Sequence, residues 1–194
     1  MLYTANNMKP SQPLEHVTAI VRNSGTSFYW AMRILPADKR DAIYAVYAFC
    51  REVDDIADNP GSEQDKVRRL AEWRVEIERL FSGTPQLPIS IALFNPIKRF
   101  SLCKKSFLAV IQGVETDALA TVRIPNFLAL ENYCDNVACA VGRLSNQIFG
   151  VDEVIGDPVA AALGRALQLT NILRDLHEDA DIDRLYVPME MLSE

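Results

Sequence analysis

Residues 42–58, AIYAVYAFCREVDDIAD, decide the fold class of this chain. Their apolar side chains recur at helical spacing, and Asp54 and Asp58 continue the same stripe when successive residues are set about 100° apart. Burying a carboxylate is costly unless a cation or an arginine compensates it. The stretch therefore predicts a helix, capped by Asp38 and ending at Asp58, whose inner face carries two carboxylates one turn apart. The alternative interpretation is an acidic helix end beside a turn.

Helical periodicity extends over most of the 194 residues, and the alternation typical of strands is nowhere sustained. Proline and glycine separate the segments, and no internal repeat or linker divides them, so we predict one all-α domain over residues 17–194. Pro10 and Pro13 predict a loose leader over residues 1–16. The predicted helices span residues 17–35, 38–58, 62–81, two segments within 89–117, 127–149 and 158–179, with a loop or a short extended piece at 121–125.

The composition excludes several classes of protein. The net charge of −6 disfavours a nucleic-acid partner, because phosphate backbones require a basic face. No apolar run approaches the ~20 residues of a membrane span. The four cysteines have no metal-like spacing and are interpreted as free thiols of a reducing compartment, which favours a cytoplasmic protein. Two basic pairs, at 98–99 and 104–105, are interpreted as a solvated surface, with weak attraction to anionic lipid at the inner face of a membrane as the alternative.

A second polar stripe runs along the predicted helix 158–179. Gln168, Asn171, Asp175 and Asp179 are spaced by three, four and four residues and are surrounded by leucine and isoleucine. An ordinary core-facing helix shows the reverse, an apolar stripe among polar residues. The stripe is interpreted as the polar floor of an apolar pocket, with a solvent face on an apolar helix as the alternative.

The two Asp-x-x-x-Asp pairs suggest facing helices that share divalent cations. Carboxylate oxygens at this spacing suit Mg²⁺, with Mn²⁺ as the alternative, and such an ion also binds phosphate oxygens. The site would grip a diphosphate and stabilise its departure. An apolar helical tube beside it would hold a hydrocarbon and keep water from the resulting carbocation. The chemistry implied is prenyl transfer.

Four segments resemble the squalene and phytoene synthase family, the head-to-head prenyl transferases. They are YAFCREVDDIAD (47–58), LQLTNILRDLHED (167–179), SGTSFYW (24–30) and YCDNVACAVG (133–142). The resemblance spans about residues 20 to 194 in the family's order. It implies an isoprenoid-synthase-type helical bundle around a central apolar cavity. Family members normally continue through several more helices, so the resemblance also implies that the C-terminal helices of the bundle are missing here.

Three segments most resemble the bacterial branch that makes presqualene diphosphate for hopanoid biosynthesis. They are SFYWAMRILP (27–36), TVR (121–123) and GRALQLTN (164–171). This branch implies Mg²⁺-dependent joining of two farnesyl diphosphates without NADPH. Phytoene or dehydrosqualene synthesis is one alternative, and a non-catalytic family member or inactive fragment that acts in assembly is another. The prenyl chain length and the oligomeric state stay open.

The resemblance also implies a role for each candidate site residue. The four motif aspartates, Asp54, Asp58, Asp175 and Asp179, would hold Mg²⁺. Tyr133 would help ionisation or accept the proton lost in ring closure, with a buried tyrosine bonded to the backbone as the alternative. Phe28 would line the prenyl cavity or serve as a core aromatic. The residues that would contact the diphosphates are Ser27, Arg51, Gln168, Asn171, Arg174, Arg184 and Tyr186.

Small residues at 137–142 allow two interpretations. Gly142 is unfavourable inside a helix by about 1 kcal/mol relative to alanine. It leaves room either for a prenyl chain or for the close approach of another helix.

Overall fold

The computed structural model describes residues 11–192 and consists almost entirely of helices, which confirms the all-α prediction. The helices are α1 (Gln12–Asn23), α2 (Tyr29–Arg33), α3 (Ala37–Asp58), α4 (Glu63–Ser82), α5 (Pro88–Arg99), α6 (Lys104–Asp117), α7 (Phe127–Cys134), α8 (Ala140–Phe149), α9 (Glu153–Arg174), α10 (Leu176–Asp181) and α11 (Met189–Leu192). A π-helical turn, Asp135–Cys139, joins α7 to α8. Two short strands, β1 (Val122–Arg123) and β2 (Arg184–Leu185), pair in parallel. None of the helices described here is both long and apolar enough to cross a membrane.

The N-terminal segment differs from its prediction as a single helix over 17–35, and residues 1–10 of the predicted leader lie outside the described residues. α1 begins before residue 17, because Pro13 stands in the first turn, where a missing backbone N–H is no loss. A loop in which Gly25 has a positive φ of 67° separates α1 from α2. Asp38, the predicted cap of α3, lies instead in the first turn of that helix.

α3 runs through the centre of the main hydrophobic core. Its Phe49 ring is fully buried and packs edge-to-face on Trp73 of α4 and Phe107 of α6, with ring centroids 5.5 and 5.2 Å apart. α1, α5 and α8 contribute further apolar side chains to the same core. Because burying one such side chain contributes about 1.5–3 kcal/mol, this packing holds α3 against α4 and α6.

A smaller hydrophobic cluster surrounds the two strands. The turn before β2 has Asp183 at a positive φ of 61°. The Asp183 carboxylate accepts hydrogen bonds from Thr121, at 2.8 Å, and from Arg123. The turn directs Arg184 and Tyr186 back toward α3 and α6. The buried members of the cluster are Val122, Ile124, Leu130, Tyr133, Cys134, Ile172 and Tyr186.

The predicted helix over 127–149 is continuous but contains the π-helical turn. Glycines on both neighbouring helices lie against this turn, since a Cβ on Gly113 of α6 or Gly164 of α9 would overlap its atoms. Gly142 lies against Ala160 of α9, where an added Cβ would be 3.0 Å from the alanine Cβ. Of the two interpretations of the small residues, the structure therefore shows close helix packing at Gly142.

α9 has other boundaries than the predicted helix 158–179. It begins after Asp152, whose carboxylate accepts a hydrogen bond from the Val154 amide at 2.9 Å, and it includes Pro158 in its second turn. It ends before Asp175, and α10 follows. The predicted single helix is therefore wrong, and the second aspartate motif spans two helices.

Candidate active site

A polar cleft of about 250 Å³ opens where α3, α6, the π-helical turn, α9, α10 and β2 meet. The side chains come from distant stretches of the chain and only the fold brings them together. The cleft also contains Asp117, which the sequence interpretation missed. The predicted site residues that line it are Asp54, Asp58, Tyr133, Gln168, Asn171, Asp175, Asp179, Arg184 and Tyr186.

The two aspartates of the first motif have different surroundings. Asp54 is half-buried in the cleft, and its burial, together with the negative charges of Asp58 and Asp117, raises its pKa to about 7. Asp58 is exposed at the rim, which corrects the prediction that both carboxylates lie on the buried face. Because a cation would offset both the burial and the repulsion that raise the Asp54 pKa, this arrangement favours cation binding.

The second motif is divided by the end of α9. Asp175 follows the last residue of α9 and accepts two hydrogen bonds of 2.6 Å from Arg174, which hold its pKa below the usual range. Asp179 stands on α10, where burial raises its pKa. The Asp179 amide donates to the Asp175 carbonyl at 2.8 Å, so the helical spacing persists across the break. Both aspartates therefore still line the cleft.

Arg184 ties the ends of two helices together. Its Nη2 donates to the carbonyl oxygens of Ala57 in α3, at 3.1 Å, and of Asp117 in α6, at 2.8 Å. Its Nη1 donates to the Asp58 carboxylate at 3.0 Å. The last carbonyls of a helix have no partner inside the helix, so an arginine at this point satisfies them and complements the helix dipole. Arg184 thus has a structural function besides the predicted contact with a diphosphate.

Asp117 lies at the base of the cleft between two tyrosines. The Tyr133 hydroxyl donates to both of its carboxylate oxygens, at 3.0 and 3.2 Å, and the Tyr186 hydroxyl donates at 2.6 Å. Burial raises the pKa of Asp117 to about 6, although the two hydrogen bonds act in the opposite direction. Tyr133 is therefore bonded to a carboxylate and not, as the alternative interpretation had it, to the backbone.

One sequence signal could have drawn attention to Asp117. It is the last residue of α6, where the negative end of the helix dipole disfavours an acidic side chain. The negative charge of an acidic side chain at that position needs hydrogen-bond donors to stabilise it, and here the hydroxyl groups of Tyr133 and Tyr186 provide them.

Four predicted site residues do not line the cleft. Ser27 and Phe28 precede α2 in an exposed loop, and Phe28 is 60% exposed, which is at odds with its predicted place in a cavity wall or in the core. Arg51, one turn before the first motif, pairs with Asp55 at 2.8 Å. Arg174 lies at the rim and pairs with the first aspartate of the second motif.

The donor set suits Mg²⁺ without forming a complete cage. Within residues 11–192, no three histidine, cysteine, aspartate or glutamate side chains are grouped closely enough to hold one ion by themselves. The motifs offer oxygen ligands only, and Mg²⁺ commonly takes one or two carboxylates, waters and phosphate oxygens. The residues present therefore fit an ion whose remaining ligands come from a diphosphate and from water.

An apolar face of α9 lies open next to the cleft-lining face. Its members recur once per turn and are between 48% and 65% exposed. A solvated helix face is ordinarily polar, so this row marks a surface on which a hydrocarbon or another apolar segment fits. The row consists of Ile155, Val159, Leu163 and Leu167.

The basic pairs at 98–99 and 104–105 are mostly engaged within the chain. Three of these four cations have partners within the chain. The partners are Asp38 for Arg99, Glu78 for Lys104 and the Phe94 ring for Lys98.

The helical fold and the two aspartate motifs define a protein of the isoprenoid-synthase type. The model of the squalene/phytoene synthase family matches residues 21–194, and the chain belongs to that family. Presqualene diphosphate synthase from Rhodopseudomonas palustris is 50% identical over 169 residues, which cover 87% of this chain and 60% of that protein. The 15-cis-phytoene synthase from Synechococcus elongatus is 35% identical in an alignment of 196 positions that covers 95% of this chain and 63% of that protein.

Two solved structures share the fold. A dehydrosqualene synthase in complex with a ligand superposes with a TM-score of 0.84 at 31% identity, covering 95% of this chain and 65% of that one. A squalene synthase from Alicyclobacillus acidocaldarius gives a TM-score of 0.85 at 30% identity, covering 94% and 68%. The chain spans about three fifths of the length of the presqualene diphosphate synthases that it matches.

Proposed function

We propose that the protein catalyses the Mg²⁺-dependent head-to-head condensation of two farnesyl diphosphates to presqualene diphosphate, with release of diphosphate. The observation that carries the proposal is the polar cleft, in which both Asp-x-x-x-Asp motifs meet Tyr133, Gln168 and Asn171. The 50% identity to a presqualene diphosphate synthase, against 35% to a phytoene synthase, supports this product.

In this proposal the four motif aspartates hold Mg²⁺ together with the diphosphate oxygens. When bound, the ions supply positive charge that stabilises a departing diphosphate. Arg174 and Arg184, which now pair with Asp175 and Asp58, exchange these partners for diphosphate oxygens. Each arginine brings several donors in a planar fork, which matches phosphate geometry.

Neutral amides complete the floor of the cleft. Gln168 and Asn171 lie on the cleft face of α9, one to two turns before Asp175. Their amide groups bind diphosphate oxygens or ordered water without adding negative charge to the acidic cluster. The roles of Ser27, Phe28 and Arg51 stay predictions, because their side chains lie outside the cleft.

The hydrocarbon chains lie along the apolar face of α9. Leu167 of this face is the immediate neighbour of Gln168 in the cleft, so a diphosphate bound there has its prenyl tail beside the leucine row. Apolar contact with the tail also displaces water from the reacting carbons. Replacing Leu163 by glutamate should therefore weaken binding of farnesyl diphosphate and leave folding intact, because the side chain is 56% exposed.

We also propose that the protein is located in the cytoplasm. The four cysteines are free thiols in the structure, as expected in a reducing compartment. Cys134 and Cys139 are buried in packed regions, where they act as small apolar side chains.

The product assay tests the proposal directly. The protein is incubated with Mg²⁺ and farnesyl diphosphate, without NADPH, and the products are analysed by mass spectrometry. We expect presqualene diphosphate and inorganic diphosphate. Dehydrosqualene, or turnover of geranylgeranyl diphosphate alone, would assign the chain to a carotenoid branch. No product under conditions in which the Rhodopseudomonas palustris relative is active would favour a non-catalytic family member.

Matched variants test the metal assignment. Asp54→Ala and Asp175→Ala each remove one carboxylate from one motif and should abolish turnover. Asp55→Ala is the control, because Asp55 is adjacent in α3 but pairs with Arg51 and does not line the cleft. Unchanged turnover in either motif variant would show that the aspartates do not hold the ions.

A further inference from the structure

The Asp117 carboxylate accepts hydrogen bonds from the hydroxyl groups of both tyrosines in the cleft. Tyr133 donates to the Asp117 carboxylate at 3.0 and 3.2 Å, and Tyr186 donates to it at 2.6 Å. The two rings stack at a centroid distance of 5.0 Å and an interplanar angle of 27°, which places both hydroxyls on the same side. The three side chains therefore form one unit contributed by α6, α7 and the segment after β2.

Within residues 11–192 no arginine donates a hydrogen bond to the Asp117 carboxylate, although the positive charge of Arg184 acts to lower its pKa. Arg184 donates to the backbone carbonyl of Asp117, at 2.8 Å, and to the Asp58 carboxylate, but its bonds do not reach the Asp117 carboxylate. An ionised carboxylate only accepts hydrogen bonds. Both tyrosine hydroxyls donate to the Asp117 oxygens, so the geometry itself gives the direction of both bonds.

The bond direction limits what Tyr133 can do. A phenol has one O–H, and Tyr133 uses it on Asp117. The oxygen of Tyr133 therefore turns lone pairs, and not a proton, toward the rest of the cleft. The Tyr133 hydroxyl cannot donate a hydrogen bond to a departing diphosphate at the same time. Its oxygen can, however, accept a proton from the substrate.

We propose that Asp117 is a positioning residue that makes Tyr133 the proton acceptor of the condensation. Asp117 accepts the hydrogen bond of the Tyr133 hydroxyl. When Tyr133 receives a proton from the substrate, its original hydroxyl proton moves to the Asp117 carboxylate. This inference rests on the proposed function and deepens it. It decides between ionisation and proton acceptance, the two roles that the sequence left open for Tyr133.

The proton step balances without a further reactant. A C–H bond breaks on the carbon that is separated from the cationic carbon by one atom, and its electron pair closes onto the cationic carbon as the last bond of the cyclopropane ring. The proton goes to the Tyr133 oxygen, and the original Tyr133 hydroxyl proton goes to the Asp117 carboxylate. The positive charge of the carbocation and the negative charge of Asp117 cancel, and Tyr133 stays a neutral phenol.

Asp117→Asn is the decisive variant, because asparagine keeps the shape and one acceptor oxygen but cannot take up the proton at neutral pH. We expect kcat to fall by about 100-fold or more, the range of general-base catalysis. KM for farnesyl diphosphate should stay within about threefold of the wild-type value, since substrate binding is not altered. Tyr133→Phe should lower kcat equally, and the double variant should lower it no further.

Tyr186→Phe is the matched control. It removes the other hydroxyl bonded to the same carboxylate but leaves the bond between Tyr133 and Asp117. Its kcat should exceed that of Tyr133→Phe, and the loss of the diphosphate contact predicted for Tyr186 should appear as a rise in KM. A rise in KM with unchanged kcat in Asp117→Asn would overturn the proposal, because Asp117 would then act only on substrate binding.

A second measurement does not depend on turnover. With ¹³C at Cζ of the six tyrosines, Asp117→Asn should shift the NMR resonances of Tyr133 and Tyr186, assigned with the two phenylalanine variants, and leave the other four in place. Unshifted resonances would overturn the proposal whether or not the chain is active. Shifted resonances in a protein that makes no product would contradict the proposed function and the proton step, but would support the hydrogen-bonded unit.

Discussion

Gly164 of α9 lies directly against the backbone of Cys139 in the π-helical turn. A Cβ on Gly164 would be 2.8 Å from the Cys139 backbone nitrogen and 2.9 Å from its Cα and Sγ. α9 and the turn can pack this closely only because residue 164 has no side chain. The contact sets the position of Gln168 and Asn171 on α9 relative to Tyr133 on α7.

Gly164→Ala should therefore destabilise the protein and disturb the cleft. The atoms that an alanine would meet belong mainly to backbone, which cannot rotate away as a side-chain end can. We expect the free energy of unfolding in urea to fall by about 1–3 kcal/mol. Gly61→Ala is the control, because the nearest atom to its added Cβ is the end of Lys66 at 3.9 Å. Equal unfolding midpoints for both variants would contradict the packing argument.

The raised pKa of Asp54 predicts that this residue lowers stability at neutral pH when no divalent cation is bound. Its pKa is about 7 in the folded chain, against 3.8 ordinarily, because it is buried near Asp58 and Asp117. The unfolded chain releases the proton at lower pH, so the free energy of unfolding falls as pH rises between these two values. Asp54→Asn should be more stable than wild type by roughly 2–4 kcal/mol at about pH 8, and equal to it near pH 4.

Urea unfolding in the presence of EDTA at several pH values measures this difference. Asp55→Asn is the control, since Asp55 is the neighbouring carboxylate on α3 and pairs with Arg51 at 2.8 Å. The control should show no gain in stability with rising pH. A constant difference between Asp54→Asn and wild type across the pH range would contradict the assignment of the shift to Asp54.

Glu76 is a buried carboxylate that organises the start of α5, far from the cleft. It is 1% exposed and accepts hydrogen bonds from the amides of Gln86, at 2.6 Å, and Leu87, at 2.9 Å, and from the Ser90 hydroxyl. Glu76→Ala leaves these donors without their acceptor, so we expect a loss of about 2–4 kcal/mol in unfolding free energy. Glu78→Ala, which removes an exposed partner of Lys104, should change thermal stability little.

If both glutamate variants lost the same stability, the capping function of Glu76 would be wrong. Enzyme assays add a second check, because neither residue lines the cleft. The KM for farnesyl diphosphate should therefore equal the wild-type value in both variants at a temperature at which both are folded.

The sequence alone predicted the position of a side chain correctly where all residues of the apolar pattern lie in one helix. Ile43 is buried and Asp54 is half-buried on the same helix, so the regular helical period places Asp54 on the inner side of α3 correctly. The same argument fails at Asp58, because the helix ends there and its last turn is exposed. Phe28 lies outside the cleft because Gly25 breaks the predicted helix and the following loop turns the ring to solvent.

Contacts between distant segments could not be predicted from local patterns. Asp117 accepts its hydrogen bonds from Tyr133, 16 residues away, and from Tyr186, 69 residues away. The position of Tyr186 depends in turn on the turn at Asp183 and on the pairing of β2 with β1. No periodicity in the sequence encodes a relation of this kind, and only the folded chain shows it.

The forked contact of Arg184 predicts a specific effect of a lysine in its place. One guanidinium bridges the carbonyls of Ala57 and Asp117 and pairs with Asp58, whereas a single ammonium group cannot reproduce this planar geometry. We expect Arg184→Lys to lose about 1–3 kcal/mol in unfolding free energy. Amide hydrogen exchange should accelerate at the C-terminal turns of α3 and α6 and stay unchanged in α5.

Arg174→Lys is the control for this prediction. Arg174 also makes a forked contact, but with the carboxylate of the next residue, Asp175, at an exposed position. Its replacement removes no bridge between helices, so exchange at the ends of α3 and α6 should match the wild type. If Arg184→Lys left exchange at those two turns unchanged, the helix ends would be held by packing around Phe49 and Phe107 alone, and the bridging function of Arg184 would be wrong.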